Sequence, residues 1–563
     1  MQTKTVKFVD KYTQKECVET LPNESRCQFL KKRNEKNMND TALSFENRRI
    51  TYEELHERID EYATALYQIG IREEERIAIN VLNTPEAVYL LYALDKIGCT
   101  VVGLSPLNNE YKMQRDIEIA KPNRIISTDI IFGKAKKAAD SLNISPILFP
   151  IKDFETDTSD TLHIENECNL FKIVEQAKGV KLEIDNFDSN STTDILFTGG
   201  STGIHKGVEL IGNGLNCVVQ ALDHVFYLEA GMIHLGNIPL GHMVFGRLVL
   251  HYALANNLNY ALTLKTLPQD FLAEIIRTQS HGAMGGPVHW ENIIENPLLQ
   301  EGCLSNLIQA ISGGEYFKPH KRKLANDALH YGGSKTTIGD GLGLTEMWAP
   351  THICLGGKNT ENTIGYAIPY VESKIVDENF NEVENGEFGT LLVKGPGMMK
   401  GYYNNAEETK KVFWYDANGE KWYNTGDLAR NMGINNNEYE YVGRQKRNFV
   451  CGVDNIYPEQ IEELLLQIPN IREVVVTKIP DDKYQYLPKY HISVFDKKFD
   501  QKEFENSVKQ LVSSTLGQSA APGYIEYTEE PLPRTDNGKL NATLLEQLDI
   551  EDFQRSVKKS LNK

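Results

Sequence analysis

The chain of 563 residues carries eight cysteines, Cys17, Cys27, Cys99, Cys168, Cys217, Cys303, Cys354 and Cys451, and none of them forms a C-x-x-C pair. That scatter argues against a zinc site or a disulfide framework and reads as buried or solvent-facing thiols. Positive charge is also in deficit. Sixty Lys and Arg face 78 Asp and Glu, a formal net charge of −18, which argues against sequence-independent binding to nucleic acid or to an anionic membrane surface. No apolar run reaches membrane length. The most apolar window, 233–255, is interrupted by His234, His242, Arg247 and His251, so it reads as a buried core segment and no membrane span is expected. The first residues, MQTKTVKFVDKYTQKE, have no apolar stretch of signal-peptide type, and a cytoplasmic enzyme is expected. Internal repeats and low-complexity tracts are missing as well. The length asks for several packed units.

What is present centres on DILFTGGSTGIHKG, Asp194 to Gly207. Ile195-Leu196-Phe197 reads as the end of a buried strand, and it opens into Thr198, Gly199, Gly200, Ser201, Thr202 and Gly203, with Lys206 following. Glycines let successive backbone N–H groups turn inward, and such a nest binds phosphate oxygens. A Walker-type P-loop does not fit, because His205 precedes Lys206 and Gly207 follows it. Taken alone, the stretch also reads as a Gly/Ser/Thr surface loop.

Upstream, a capping box at Thr51 and Glu54 starts a helix that runs to Gly70. Strand Ile77–Val81, a helix opened by Thr84-Pro85 and closed by Gly98, and strands at 101–102 and 125–126 follow. This alternation predicts parallel strands with crossover helices. Residues 1–45 give no clear pattern, and 152–162 and 181–193 read as polar connections. Downstream, Ile308–Glu315 and Ile338–Glu346 each read as a strand end, then glycines, then an acid. Around 375–393 the pattern becomes short strands with turns at Gly386 and Gly389, and Tyr423–Asp427 puts an acid on a tight turn. Beyond it, helix 458–467, strands 473–478 and 490–495 and helix 501–516 predict a separate α+β unit, ending in a Pro/Gly loop with Lys539 at its tip.

Six segments then occur in order: TGGSTGIHKG (198–207), PLGH (239–242), GDGLGLTE (339–346), YNTGD (423–427), GRQKRNFVCGVDNIYPEQIE (443–462) and PRTDNGK (533–539). By these the chain resembles the adenylate-forming superfamily of acyl-CoA and aryl-CoA synthetases, stand-alone adenylation enzymes and luciferases, over roughly residues 40–545. The resemblance implies an α/β fold. A large N-terminal adenylating domain of several subdomains (1–445, parallel αβ layers plus a small β unit) would be followed by a smaller mobile α+β domain (446–563). It also implies a two-step reaction. A carboxylate attacks the α-phosphate of ATP, giving an acyl-adenylate and pyrophosphate, and a thiol then takes the acyl group and releases AMP.

By the family pattern, the 198–207 loop holds the β- and γ-phosphates. Gly313, Gly314 and Glu315, with Asp340, Gly341, Leu342, Gly343 and Leu344, flank adenine. Thr345 contacts the α-phosphate, and Glu346 holds Mg²⁺. Asp427, assisted by Arg444, accepts from the ribose hydroxyls. His242 sits by the acyl carbon, Gly452 lines the pantetheine channel, Lys446 marks the hinge, and Lys539 reaches the α-phosphate and carboxylate in the first step. The implied partners are a small carboxylic acid, ATP, Mg²⁺ and coenzyme A, or the phosphopantetheine of a carrier protein.

The chemistry asks for these residue types. A carboxylate approaching polyphosphate is repelled, so cations must neutralise growing charge. A ribose diol wants an acceptor-only carboxylate. Taken singly, Asp427 also reads as a turn residue, Lys539 as a solvated loop lysine, Glu346 as a helix cap, Gly452 as a turn glycine and His242 as a core histidine. Several positions depart from the family. Gly199 replaces Ser, His205 replaces Pro, Leu342 replaces an aromatic, Arg447 stands where an acid or small polar residue is usual, and Gly212 where many members have His. The expected activity is an acid–CoA ligase. A carrier-loading adenylation enzyme, a non-catalytic nucleotide sensor and an oxygen-dependent luciferase are the other readings. The acid pocket is expected from segments 238–246, 286–291, 311–316 and 341–348, with Trp290 and Trp348 as candidate walls and Asp340 as a candidate partner for a cationic group.

Overall fold

The computed structural model describes residues 4–9, 15–140, 142, 144, 146–149, 170–180, 182–199, 205–315, 317–355, 363–433, 438–445, 447–451, 454–481, 483–496, 498, 500–535 and 539–561. The chain packs as two units, one of residues 1–373 with 393–423, the other of 374–392 with 424–563. Among the described residues no helix is long and apolar enough to cross a membrane.

The first unit is built on two mixed sheets. One runs Gly401–Tyr402, His205–Ile211, Thr192–Gly199, Thr100–Gly103, Arg76–Asn80, Arg124–Thr128, Pro146–Phe149. From Thr192–Gly199 onward its neighbours are parallel, as crossover helices demand. Tyr52–Gln68 leads into this sheet from strand Arg48–Thr51 of the other one. Thr51 caps it by accepting from Glu54 N, and Leu55, Ile59, Tyr62 and Leu66 form its buried face. Pro85–Ile97 is one of the crossover helices, between Arg76–Asn80 and Thr100–Gly103, with Pro at its first turn and Gly98 at φ 89° past its end. The strands Thr192–Gly199 and His205–Ile211 pair antiparallel, with Thr198 opposite Lys206. The glycine-rich loop is therefore a hairpin connection rather than a strand-to-helix turn, which is the physical reason it departs from a P-loop.

The second sheet runs Gln309–Ser312, Gly282–Gly285, Ile233–Gly236, Asn259–Leu262, Thr41–Phe45, Arg48–Thr51. Within the unpatterned first 45 residues lie the hairpin Thr5–Val9/Glu16–Thr20 and the helix Arg26–Asn34. Two local readings are corrected. Gly341 and Gly343 do not follow a strand. They lie inside strand Asp340–Leu344, which pairs antiparallel with Ala349–Cys354. Gly389 is no turn either. It lies in strand Phe388–Lys394, where a Cβ would sit 2.4 Å from the Val376 carbonyl oxygen.

Strand Thr363–Ala367 carries the sharpest backbone restriction. Gly365 has φ +77°, and a Cβ there would stand 1.9 Å from the Ile353 carbonyl oxygen. Gly365→Ala is expected to cost roughly 3 kcal/mol or more, because both the dihedral and the neighbouring strand must yield. The thermal midpoint of unfolding checks it, and an unchanged midpoint would refute the restriction.

The second unit contains the three-stranded sheet Ile471–Asp481, Gln485–Val494, Tyr524–Thr528. Helices Pro458–Leu465 and Gln501–Leu516 pack on it through Ile461, Leu465, Val508 and Val512. Asp427 is not on a tight turn. It lies within strand Lys421–Asn431, opposite Arg444, next to Gly426 at φ +70° and just before a bulge between Leu428 and Ala429.

Candidate active site

The loop residues Gly200, Ser201, Thr202 and Gly203 lie outside the described residues, as do Lys446 and Gly452. The two strands of the hairpin are described, and they gather other site residues. Lys206 Nζ pairs with Glu408 Oε2 at 2.5 Å and sits 4.8 Å from the ring centre of Tyr402. Lys206 and Lys411 hold the Glu408 carboxyl down to about 2. The Tyr402 hydroxyl in turn donates to Glu346 Oε1 at 2.8 Å. Thr198, Lys206, Tyr402 and Glu346 thus form one connected group, with Thr345 beside Glu346 in the short 3₁₀ turn Thr345–Met347. Glu346 is buried and makes no salt bridge with a protein cation among the described residues. A buried carboxyl group that accepts from the Tyr402 hydroxyl and makes no ion pair with a protein cation among the described residues fits a divalent cation.

Past that turn the backbone is strained. Trp348 and Ala349 have φ 58° and 87° in succession, a conformation that costs of order 1–3 kcal/mol per residue. Trp348 is fully buried under the Arg26 guanidinium, 5.2 Å from its ring centre. Trp290 is fully buried too. It sits edge-on to Phe271 and donates to the Ile311 carbonyl. Both indoles are core groups.

His242 ends a turn fixed from three sides. Asn83 Nδ2 donates to the carbonyls of Gly236 and Ile238, and its Oδ1 accepts from Leu240 N at 3.0 Å. Arg247 donates to the carbonyls of Leu240 (2.5 Å) and Gly241 (2.9 Å). Gly103 admits the close approach, since a Cβ there would lie 2.8 Å from His242 Cα. His242 Nδ1 is buried without a hydrogen-bond partner. Burial, and then the nearby Arg247, push its pKa down to about 4, so the imidazole is neutral at physiological pH.

Arg247 also donates to Asp194 Oδ1 at 2.7 Å, and Arg26 bonds the other oxygen. Asp194 is fully buried at the root of the hairpin. Despite that burial, the two guanidiniums hold its carboxyl below the usual range. Arg247 therefore ties the His242 turn to the strand that leads into the glycine loop.

Gly313, Gly314 and Glu315 follow strand Gln309–Ser312, which bridges to the second glycine segment where Ser312 N donates to Gly339 O at 2.8 Å. Leu342 and Leu344 share strand Asp340–Leu344 with Gly341 and Gly343. Asp340 already has partners. It accepts from Gly341 N at 2.8 Å and stands 3.5 Å from Arg322 Nη1. Burial nonetheless raises its carboxyl to about 6 from 3.8. Between pH 4 and 6 the unfolded chain releases this proton while the folded chain keeps it, so folded stability falls as pH rises through that window. Asp340→Asn is expected to remove up to about 1.4 kcal/mol per pH unit of that slope. Thermal midpoints of both proteins from pH 4 to 6 check this, and parallel curves would refute it.

In the second unit Asp427 is fully buried, and Arg444 Nε lies 2.8 Å from its Oδ1. The pair forms because the two residues are directly opposite in register. Arg447, at the unusual position beside the expected hinge, bridges Glu459 (2.9 Å) and Glu462 (2.5 Å). Lys539 is exposed on a loop closed by the bridge between Arg534 and Leu540. Sequence reasoning missed Tyr402, Glu408, Asn83 and Arg247. The run Gly401-Tyr402-Tyr403 carried a faint signal, since a glycine before two aromatics suits close strand packing, but nothing local linked it to Glu346.

The family model for AMP-binding enzymes matches residues 30–403, and that for the AMP-binding enzyme C-terminal domain matches 460–539. The chain belongs to this family of adenylate-forming enzymes. It is 27% identical over 559 residues to a long-chain-fatty-acid–CoA ligase of Bacillus subtilis (strain 168), covering 94% of this chain and 95% of the relative. It is 26% identical over 532 residues to bacitracin synthase 3 of Bacillus licheniformis, covering 92% of this chain and 8% of that one. A solved anthranilate CoA ligase in complex with anthranoyl-AMP shares the fold, with a TM-score of 0.81 at 18% identity, over 95% of this chain and 99% of that chain.

Proposed function

We propose that this enzyme activates a carboxylic acid with ATP to an acyl-adenylate, releasing pyrophosphate, and then passes the acyl group to coenzyme A, releasing AMP, in the cytoplasm. The observation that carries the reading is the connected group of Thr198, Lys206, Tyr402 and Glu346, which gives a polyphosphate a lysine, a hydroxyl and a buried carboxylate in one place. Glu346 would hold Mg²⁺, which supplies neutralising charge to the phosphates. Tyr402 keeps that carboxylate oriented, and Lys206 exchanges Glu408 for phosphate oxygens. Thr345 would meet the α-phosphate. Gly313–Glu315 and Asp340–Leu344 would flank adenine, and Asp427 with Arg444 would take the ribose. The acid is already ionised, so the first step needs no general base. The neutral His242 would stand by the acyl carbon and gate the access of the thiol. Residues 446–563 would turn about Lys446 between the two steps and bring Lys539 to the first.

ATP–pyrophosphate exchange against aliphatic, aryl and amino acids, without coenzyme A, tests the reading. Exchange with one acid class supports it, and silence across the panel with ATP still bound favours a sensor. The similarity to bacitracin synthase 3 over 92% of this chain favours a second acceptor, a carrier-protein phosphopantetheine. Replacing coenzyme A by a holo carrier protein separates the two.

A further inference from the structure

Phe245 stands where the walls of the expected acid cleft converge. It lies in the first turn of helix Val244–Ala255, three residues beyond His242. The tip of its ring lies between two glycine backbones. A Cβ on Gly313 would come within 3.1 Å of Phe245 Cζ, and one on Gly343 within 2.7 Å. Gly313 N donates to Gly285 O at 3.1 Å, which draws the segment 285–286 into the same corner. Three of the four segments named as pocket walls, 238–246, 311–316 and 341–348, therefore meet at one aromatic ring, and Gly286 of the fourth lies beside Gly313. Phe245 is half-buried, whereas Val244 and Leu248 on the same helix are buried.

The ring is flat, apolar and backed by glycines, so it has filled the room that side chains at 313 and 343 would otherwise take. A long alkyl chain passing His242 toward these strand ends meets the ring. Moving it aside would cost packing on both glycine faces. A compact acid can instead stop against it and bury its own apolar surface there. We propose that Phe245 closes the far end of the acid cleft and restricts this enzyme to compact carboxylic acids, a single ring or a short alkyl chain, rather than long-chain fatty acids. The inference rests on the acid-activating reading above.

The test is acid-dependent pyrophosphate exchange with butanoic, hexanoic, benzoic, dodecanoic and hexadecanoic acids, for the native enzyme, Phe245→Ala and Phe245→Leu. The native enzyme is expected to favour the best compact acid over dodecanoic acid by about 100-fold in kcat/KM. Phe245→Ala should raise the dodecanoic-to-butanoic ratio by about tenfold or more, with KM for ATP within roughly twofold of native. Phe245→Leu should move the ratio in the same direction by less, and it stands in if the alanine variant does not fold. Native preference for dodecanoic or hexadecanoic acid overturns the inference. So does a variant with native chain-length ratios, whether or not its KM for ATP rises; a rise would place the ring against adenine instead. Native silence with every acid overturns the activation reading and this inference together, whereas native exchange with unmoved ratios in the variants overturns this inference alone.

Discussion

Lys539→Ala is expected to slow ATP–pyrophosphate exchange by about two to three orders of magnitude. Thioester formation from a supplied acyl-adenylate should stay within roughly threefold of native. The asymmetry follows from where charge grows. Attack of a carboxylate on the α-phosphate concentrates negative charge that an ammonium offsets in the transition state, and attack of a thiol on the adenylate does not need that ammonium. The described residues on either side of the loop tip are bonded to one another and to the sheet. Lys539 N donates to Thr535 Oγ1 at 3.2 Å, and Thr535 N donates back to the Lys539 carbonyl at 2.6 Å. Glu473 accepts from Leu532 N at 2.6 Å and pairs with Arg534, fastening the loop to strand Ile471–Asp481. Measuring the two half-reactions separately decides the matter, and equal loss in both would sink the assigned role.

The second large effect concerns Arg247. Arg247→Met is expected to lower stability by about 3–5 kcal/mol, seen as a lower thermal midpoint. The methionine fills much of the volume but leaves Asp194 with one guanidinium in place of two and orphans the carbonyls of Leu240 and Gly241. Burial has already pushed Arg247 down to about 10, yet Asp194 keeps it charged at neutral pH. Arg247→Lys should retain more of the stability, because the charge survives, but a lysine cannot span two carbonyls and a carboxylate at once. That variant should therefore lose thiol transfer more than adenylation, since the turn it loosens ends in His242. A lysine variant with native stability and native transfer would show the three-way bond to be dispensable.

Local pattern was enough where the information is local. Thr51 and Glu54 announced a helix start, Pro85 and Gly98 bracketed a helix, and 501–516 matched the helix Gln501–Leu516. The family motifs pointed to the Thr345-Glu346 turn and the Asp427–Arg444 pair, which the structure describes. Three kinds of feature escaped. Gly341 and Gly343 read as following a strand, and Gly389 and Gly426 as turns, because glycine in a strand looks like a break, whereas here neighbouring groups approach too closely for a side chain or the backbone takes a positive φ. The hairpin Thr5–Val9/Glu16–Thr20 escaped because both strands are short and half of each is exposed, and Glu16–Thr20 has no polar–apolar alternation. Tyr402, Asn83 and Arg247 escaped because their roles come from partners far away in sequence, and no short window contains both ends of such a bond.

Arg26 belongs to that last kind, and its position has a consequence for how the protein is made. It pairs with Asp194, stands 3.5 Å from Asp95 and lies over Trp348. A ribosome adding about 5–20 residues per second takes roughly 15–60 s to go from the first of these positions to the last. For that interval the nascent chain holds a guanidinium whose final surroundings do not yet exist. The first helix, Arg26–Asn34, is therefore among the earliest elements synthesised, yet Arg26 completes its set of partners only once residue 348 has been added. A translational pause or a bound chaperone before residue 348 would act on a chain in which that set is still incomplete.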